Sequence, residues 1–210
     1  MFSCSNCCSE EILDEWLVDH GGTWAERHGG MLCLGSVLSG CSPELLAAAR
    51  PNCEKAVGTA LADENLPVQG AAVGTMAALG LAALRHGDDA TMPMAKLAEL
   101  LGAGVAEIRT AALVGVINLG KTLMAEAEAD DALESTAGVE KLEKYVVALG
   151  EPIFKATKER NYNVRDLAVK ALAWLMQVRG STRTYTHSNP PPACLHSSFA
   201  DLASSGCHSV

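Results

Sequence analysis

Aromatic residues are scarce in this sequence: Trp, Tyr and Phe together make up 4% of 210 residues, although 49% are hydrophobic. The apolar content therefore falls largely on Ala, Leu and Val, which favours close-packed helices over an aromatic-rich sandwich. Cations are also few, with 16 Lys and Arg against 25 Asp and Glu and a net charge of -9. That balance opposes broad electrostatic binding to nucleic acid or anionic lipid and leaves room only for a local basic patch. No sequence-specific nucleic-acid contact and no membrane partner are expected.

No secretory leader is expected, because the opening MFSCSNCCSEEILDE runs into acid before any hydrophobic stretch develops. Gly70 to Leu84, rich in Ala and Gly, falls short of the roughly 20 apolar residues that cross a bilayer. The expectation is a soluble, cytoplasmic chain, long enough for one domain with a real core.

The usual signatures of chemistry are missing too. There is no His-x-x-x-His or His-Glu-x-x-His for a catalytic metal and no Gly-x-Ser-x-Gly elbow. Cys4, Cys7 and Cys8 cluster, but a single Cys-x-x-Cys lacks the second ligand pair of a zinc site, and reduced cytosolic thiols are the ordinary alternative. Glu126 and Glu128 read as solvated acids. No catalytic, cofactor or metal site is expected.

What the chain does contain is a repeat. PVQGAAVGTMAALG from Pro67, EIRTAALVGVINLG from Glu107 and NVRDLAVKALAWLM from Asn163 superimpose without gaps. Val68, Ile108 and Val164 align, each followed by Gln69, Arg109 or Arg165. Ala72, Ala112 and Ala168 align next, then Leu79, Leu119 and Leu175. WAERHGGMLCLGSVL is a weaker fourth copy with Arg27 at the Gln69 position. Apolar residues recur at steps of three and four, as in helices buried on one side, and the small residues allow close approach.

Each copy follows another helix candidate: 10–19, 43–62 with Ser42 as N-cap and an internal Pro51, 92–101, and 139–158 with Pro152 inside. The spacing predicts an all-α fold, a HEAT-type (armadillo-like) α-solenoid of four helix pairs over residues 10–180. Residues 1–9 read as a flexible lead. The acidic stretch 125–138 reads as an inserted loop, and 181–210, rich in Ser, His and Pro, as a disordered tail.

One string pulls the other way. GVINLGKT, residues 115–122, matches the phosphate-loop pattern G-x-x-x-x-G-K-[ST]. In the repeat register, however, Gly115 falls on Thr75, Leu119 on Leu79 and Gly120 on Gly80, so the octapeptide occupies a helix its neighbour forms without the motif. Val116 and Ile117 suit a turn that must bare its N–H groups poorly. YVVALGE, residues 145–151, is the nearest thing to a downstream strand and lies in a helical pattern. Lys121 is expected to be solvated near a helix end.

The in-register arginines admit two roles. Arg27, Arg109 and Arg165 can bridge neighbouring repeats through carboxylates or helix-end carbonyls, or they can form a row that meets a partner. With Lys155, Lys158 and Arg160 they make up the candidate partner-contact residues.

With the repeats in place, WAERHGGMLCLGSVL resembles the Trp-x-x-Arg-His-Gly helix of the general-control translational activator family, ribosome-associated activators of the initiation-factor-2α kinase. Trp24, Arg27, His28, Gly29 and Leu34 carry the likeness, and Ile108, Arg109, Val164 and Arg165 extend it to later repeats of that family's carboxyl-terminal region. The resemblance implies a non-enzymatic scaffold in translational control under amino-acid starvation. Its implied partners are the ribosome, an ATP-binding-cassette translation factor and the kinase. An adaptor for proteasome or transport machinery is the alternative of the same class, and a phosphate-loop nucleotide-binding enzyme the alternative of another.

Overall fold

The computed structural model describes residues 22–129 and 136–185. The predicted 1–9 lead and 10–19 helix, Cys4, Cys7, Cys8 and the tail beyond 185 lie outside the described residues. Within them the chain is all-α, with no strand: α1 Trp24–Leu38, α2 Pro43–Leu61, α3 Leu66–His86, α4 Thr91–Leu101, α5 Ala106–Ala129, α6 Thr136–Ala156 and α7 Tyr162–Tyr185.

The helix starts follow from local chemistry. Thr23 and Glu26 form a reciprocal capping box at α1, satisfying otherwise orphaned N–H groups. At α2, Ser42 accepts from the Leu45 N–H while Pro43, which has no N–H to satisfy, takes the first turn. The Asn161 side chain accepts from the Asn163 and Val164 N–H groups at α7. α3 ends where Gly87 turns left-handed at φ 81°, a conformation only glycine adopts without strain. Both α2 and α6 continue through their internal prolines.

Packing sorts the helices into two sets. α1, α3, α5 and α7 touch in succession, and α2, α4 and α6 lie against α3, α5 and α7 respectively. The core runs between the sets, from Leu34 and Leu46 through Leu79, Leu97 and Leu113 to Leu149, Leu175 and Val178. α3 is buried almost all round. That burial accounts for its composition: α3 and the first 21 residues of α5 are long and apolar enough to cross a membrane, and most of α3 is covered by neighbouring helices.

Close approach is made possible by small residues at matching positions. A Cβ on Gly35 of α1 would meet Thr75 Oγ1 of α3 at 3.2 Å, and one on Gly115 of α5 would meet the Ala77 Cβ of α3 at 2.9 Å. In the repeat register Gly35 matches Ala77 and Thr75 matches Gly115, so both crossings use the same pair of positions. Thr75, though polar, is buried with its hydroxyl bonded to the Met31 carbonyl across the crossing (2.7 Å) and to Ala71 in its own helix (3.0 Å).

Two boundaries differ from the sequence expectation. The acidic stretch 125–138 is no simple loop: α5 runs on to Ala129 and α6 restarts at Thr136. AEAEA is a strong helix former, since Ala and Glu lose little freedom in a helix, and Arg85 at the end of α3 holds Glu126 through both carboxylate oxygens. At the other end, α7 extends to Tyr185, five residues into the predicted tail.

Candidate functional site

The residues at the fourth position of α1, α3, α5 and α7 are Arg27, Gln69, Arg109 and Arg165. All four side chains reach back to a carbonyl in the turn before their own helix. Arg27 donates to Gly22 O at 2.6 Å, Gln69 to Asp63 O at 2.5 Å, Arg109 to Ala103 O, and Arg165 to Glu159 O at 3.0 Å. Each ties the turn to the helix that follows it.

Two of them also reach forward. Arg27 forms a bidentate bond with Asp63 in the turn before α3, at 2.6 and 3.2 Å. Arg109 meets Glu159 in the turn before α7 at 3.5 Å. Asp63 and Glu159 are thus matched nodes. The side chain of each holds the preceding helix, and its carbonyl holds its own. The register position between them is Ala103, which has no carboxylate, and the residue that would face it is the neutral Gln69. Charge appears on both sides of a seam or on neither.

The two bridges differ in quality. Arg27 and two N–H groups from Asn65 hold the Asp63 carboxyl down to about 2, against an opposing push from burial. Arg109 is the more deeply buried arginine, yet its contact is longer and its Nε is buried with no partner among the described residues.

Of the candidate contact residues, then, Arg27 and Arg109 are engaged inside the molecule, in the bridging role. Lys155 pairs with Glu151 on its own helix, Lys158 lies over the Phe154 ring at 4.8 Å, and Arg160 is exposed. Arg165 is exposed, with its guanidinium 5.6 Å from the Tyr162 ring centre. Lys155, Lys158, Arg160 and Arg165 therefore gather at the end of α6, the turn that follows and the start of α7.

GVINLGKT lies wholly inside α5. Mid-helix N–H groups are bound to carbonyls four residues back and cannot turn to a phosphate. Its glycines have another use: Gly115 admits Ala77, and a Cβ on Gly120 would come within 3.4 Å of the Trp174 Cβ on α7. Lys121 is exposed, but the helix continues past it rather than ending there. YVVALGE is likewise helical, inside α6. Among the described residues no three His, Cys, Asp or Glu side chains lie together as metal ligands.

The sequence reading missed Arg85. Its guanidinium joins three helices, donating to Ser39 O at the end of α1 (2.6 Å) and to Glu126 on α5. His86 adds a 2.9 Å contact with Cys41 O. The available signal was a basic pair in the last turn of a helix with an acid about one repeat downstream.

No family model matches the chain, and no curated protein matches it. Among solved structures, the crystal structure of an engineered protein is similar over 86% of this chain and 90% of that chain, at 15% identity and a TM-score of 0.42. At that score the likeness fixes nothing about fold or function.

Proposed function

We propose that the chain is a non-enzymatic scaffold of HEAT-type helix pairs, an α-solenoid that presents its faces to protein partners in translational control under amino-acid starvation. The observation that carries the solenoid reading is the set Arg27, Gln69, Arg109 and Arg165. Four residues at one register position close four turns in the same way, and successive helices cross at the same small positions. That regularity is what a one-dimensional stack of equivalent units requires.

The assignment to translation rests on the Trp-x-x-Arg-His-Gly resemblance. Arg27 and Leu34 of that stretch serve folding, one as a bridge and one in the core. Trp24 is 50% exposed beside His28, with ring centres 6.4 Å apart. A half-exposed Trp does little for the core and suits recognition of a partner, where aromatic anchors dominate the energetics. In this reading the chain works in the cytoplasm, with ribosomes and the kinase-activating machinery as its partners.

Co-sedimentation with polysomes at increasing salt tests the proposal. Expected is chain in the ribosomal fractions at low salt, reduced by Trp24→Ala. Absence from those fractions together with enrichment of proteasome subunits among captured proteins would replace it with the adaptor reading.

A further inference from the structure

Among the described residues, one side of α1, α3 and α5 is closed by the helix pair that follows, and the matching side of α7 is not. Met31 and Leu38 of α1, Val73, Ala77 and Gly80 of α3, and Leu113, Ile117 and Gly120 of α5 occupy matching positions, and all are buried. Their counterparts on α7 are Val169, Ala173 and Met176. Val169 is 56% and Met176 68% exposed, and Ala173 is exposed as well. At the head of this stripe stands Arg165, which has no carboxylate among the described residues. Arg27 and Arg109, at the same register position, each hold one from the turn that follows.

We propose that this face of α7 is a docking surface for a helix of a partner protein, one that enters from a turn carrying a carboxylate. Arg165 takes the carboxylate, the stripe of Val169, Ala173 and Met176 takes the apolar side of the helix, and Ala173 leaves space for close crossing. The chemistry of the occupant is copied from the two seams that already exist in the molecule. Arg27 with Asp63 and Arg109 with Glu159 show what an arginine at this position receives, and Ala77 against Gly115 shows how closely the helices approach. The basic residues around the turn, Lys155, Lys158 and Arg160, favour an acidic approach. A second copy of this chain fits less well, because the residue six before Arg27 is Gly21, not an acid. The inference rests on the helix stacking and is independent of the ribosomal assignment.

The probe is a synthetic peptide of residues 157–178, the turn and helix that place Glu159 on Arg109 in the intact chain. It is stapled through solvent-side positions and its helicity is checked by circular dichroism. Titration into the full-length chain, followed by fluorescence anisotropy, should show saturable binding. Met176→Lys in the protein, or Glu159→Lys in the peptide, should each weaken it about tenfold or more. Arg165→Glu in the protein should restore most of the affinity of the Glu159→Lys peptide. A helical peptide that fails to bind, or binding indifferent to all of these changes, overturns the proposal. Binding that appears only after residues 186–210 are removed assigns the face to the chain's own tail and overturns the partner. So does a dimer, seen by light scattering, that Met176→Lys dissociates.

Discussion

α3 and α7 are written on one template and live in different surroundings. Val68 and Val164, Ala72 and Ala168, Leu79 and Leu175 match in register, and all six are buried. The other flank separates them. Val73 is fully buried under the next pair while Val169 is 56% exposed, and Gly80, where a Cβ would strike the Met94 methyl of α4, is replaced by the long, open Met176. The shared half of the template is set by packing within a pair. The other half is set by what lies beyond it: glycine stands at position 80, where Met94 comes close, and methionine at the matching position 176, which is open.

The sharpest way to break that comparison is to make one change twice. Val73→Ala should lower unfolding stability by about 2 kcal/mol, from lost burial plus the cavity left behind. Val169→Ala should stay within about 0.5 kcal/mol of the parent. Urea denaturation of both variants decides it, and equal losses would mean that α7 is covered in the free chain.

The bridges come next. Asp63→Asn leaves Arg27 without its counter-charge and should cost about 2 kcal/mol, whereas Glu159→Gln, at a longer and more exposed contact, should cost about 0.5 kcal/mol. The Asp63 effect carries a pH signature. Its carboxyl sits at about 2 in the folded chain against an ordinary 3.8, so its contribution is complete above about pH 4 and fades as the pH falls towards 2. Thermal melts of the parent and of Asp63→Asn should converge across that window and stay parallel above it.

The smallest effect tests close approach. Gly115→Ala forces a Cβ against Ala77 and should cost about 1 kcal/mol despite the gain in helix propensity. Gly74→Ala, at a single exposed position of α3 with nothing within 4 Å, should instead stabilise by about 0.5–1 kcal/mol. Opposite signs in differential scanning calorimetry confirm that only the first glycine is required by a neighbour.

Much of the fold was legible because the signals were local. Apolar spacing placed α1, α3, α5 and α7, Ser42 and Pro43 announced the start of α2, and the repeat register alone was enough to put GVINLGKT inside a helix. The bridging role of Arg27 and Arg109 was one of two readings and needed coordinates to select it, because an arginine at a helix start looks the same whether its carboxylate is a neighbour's or a partner's. The reach of α5 to Ala129 was hidden for a related reason. An acidic run reads as solvated until Arg85, 41 residues away, is found holding one of its members. Arg165 shows the limit: its sequence context matches that of Arg109, and only the structure shows that it holds no carboxylate among the described residues.

The pairing of Gln69 with Ala103, between two seams that each carry an arginine and an acid, bears on the order of the units. Repeat arrays diversify by duplicating and shuffling their members, and most contacts in a helical stack are greasy enough to tolerate a wrong neighbour. This row is not. Removing both middle pairs, α2 with α3 and α4 with α5, would seat Arg27 on Glu159, but exchanging those two pairs would set Arg27 against Ala103 and leave Glu159 facing Gln69. The uncharged rung therefore distinguishes the native order of the two middle pairs from its reverse.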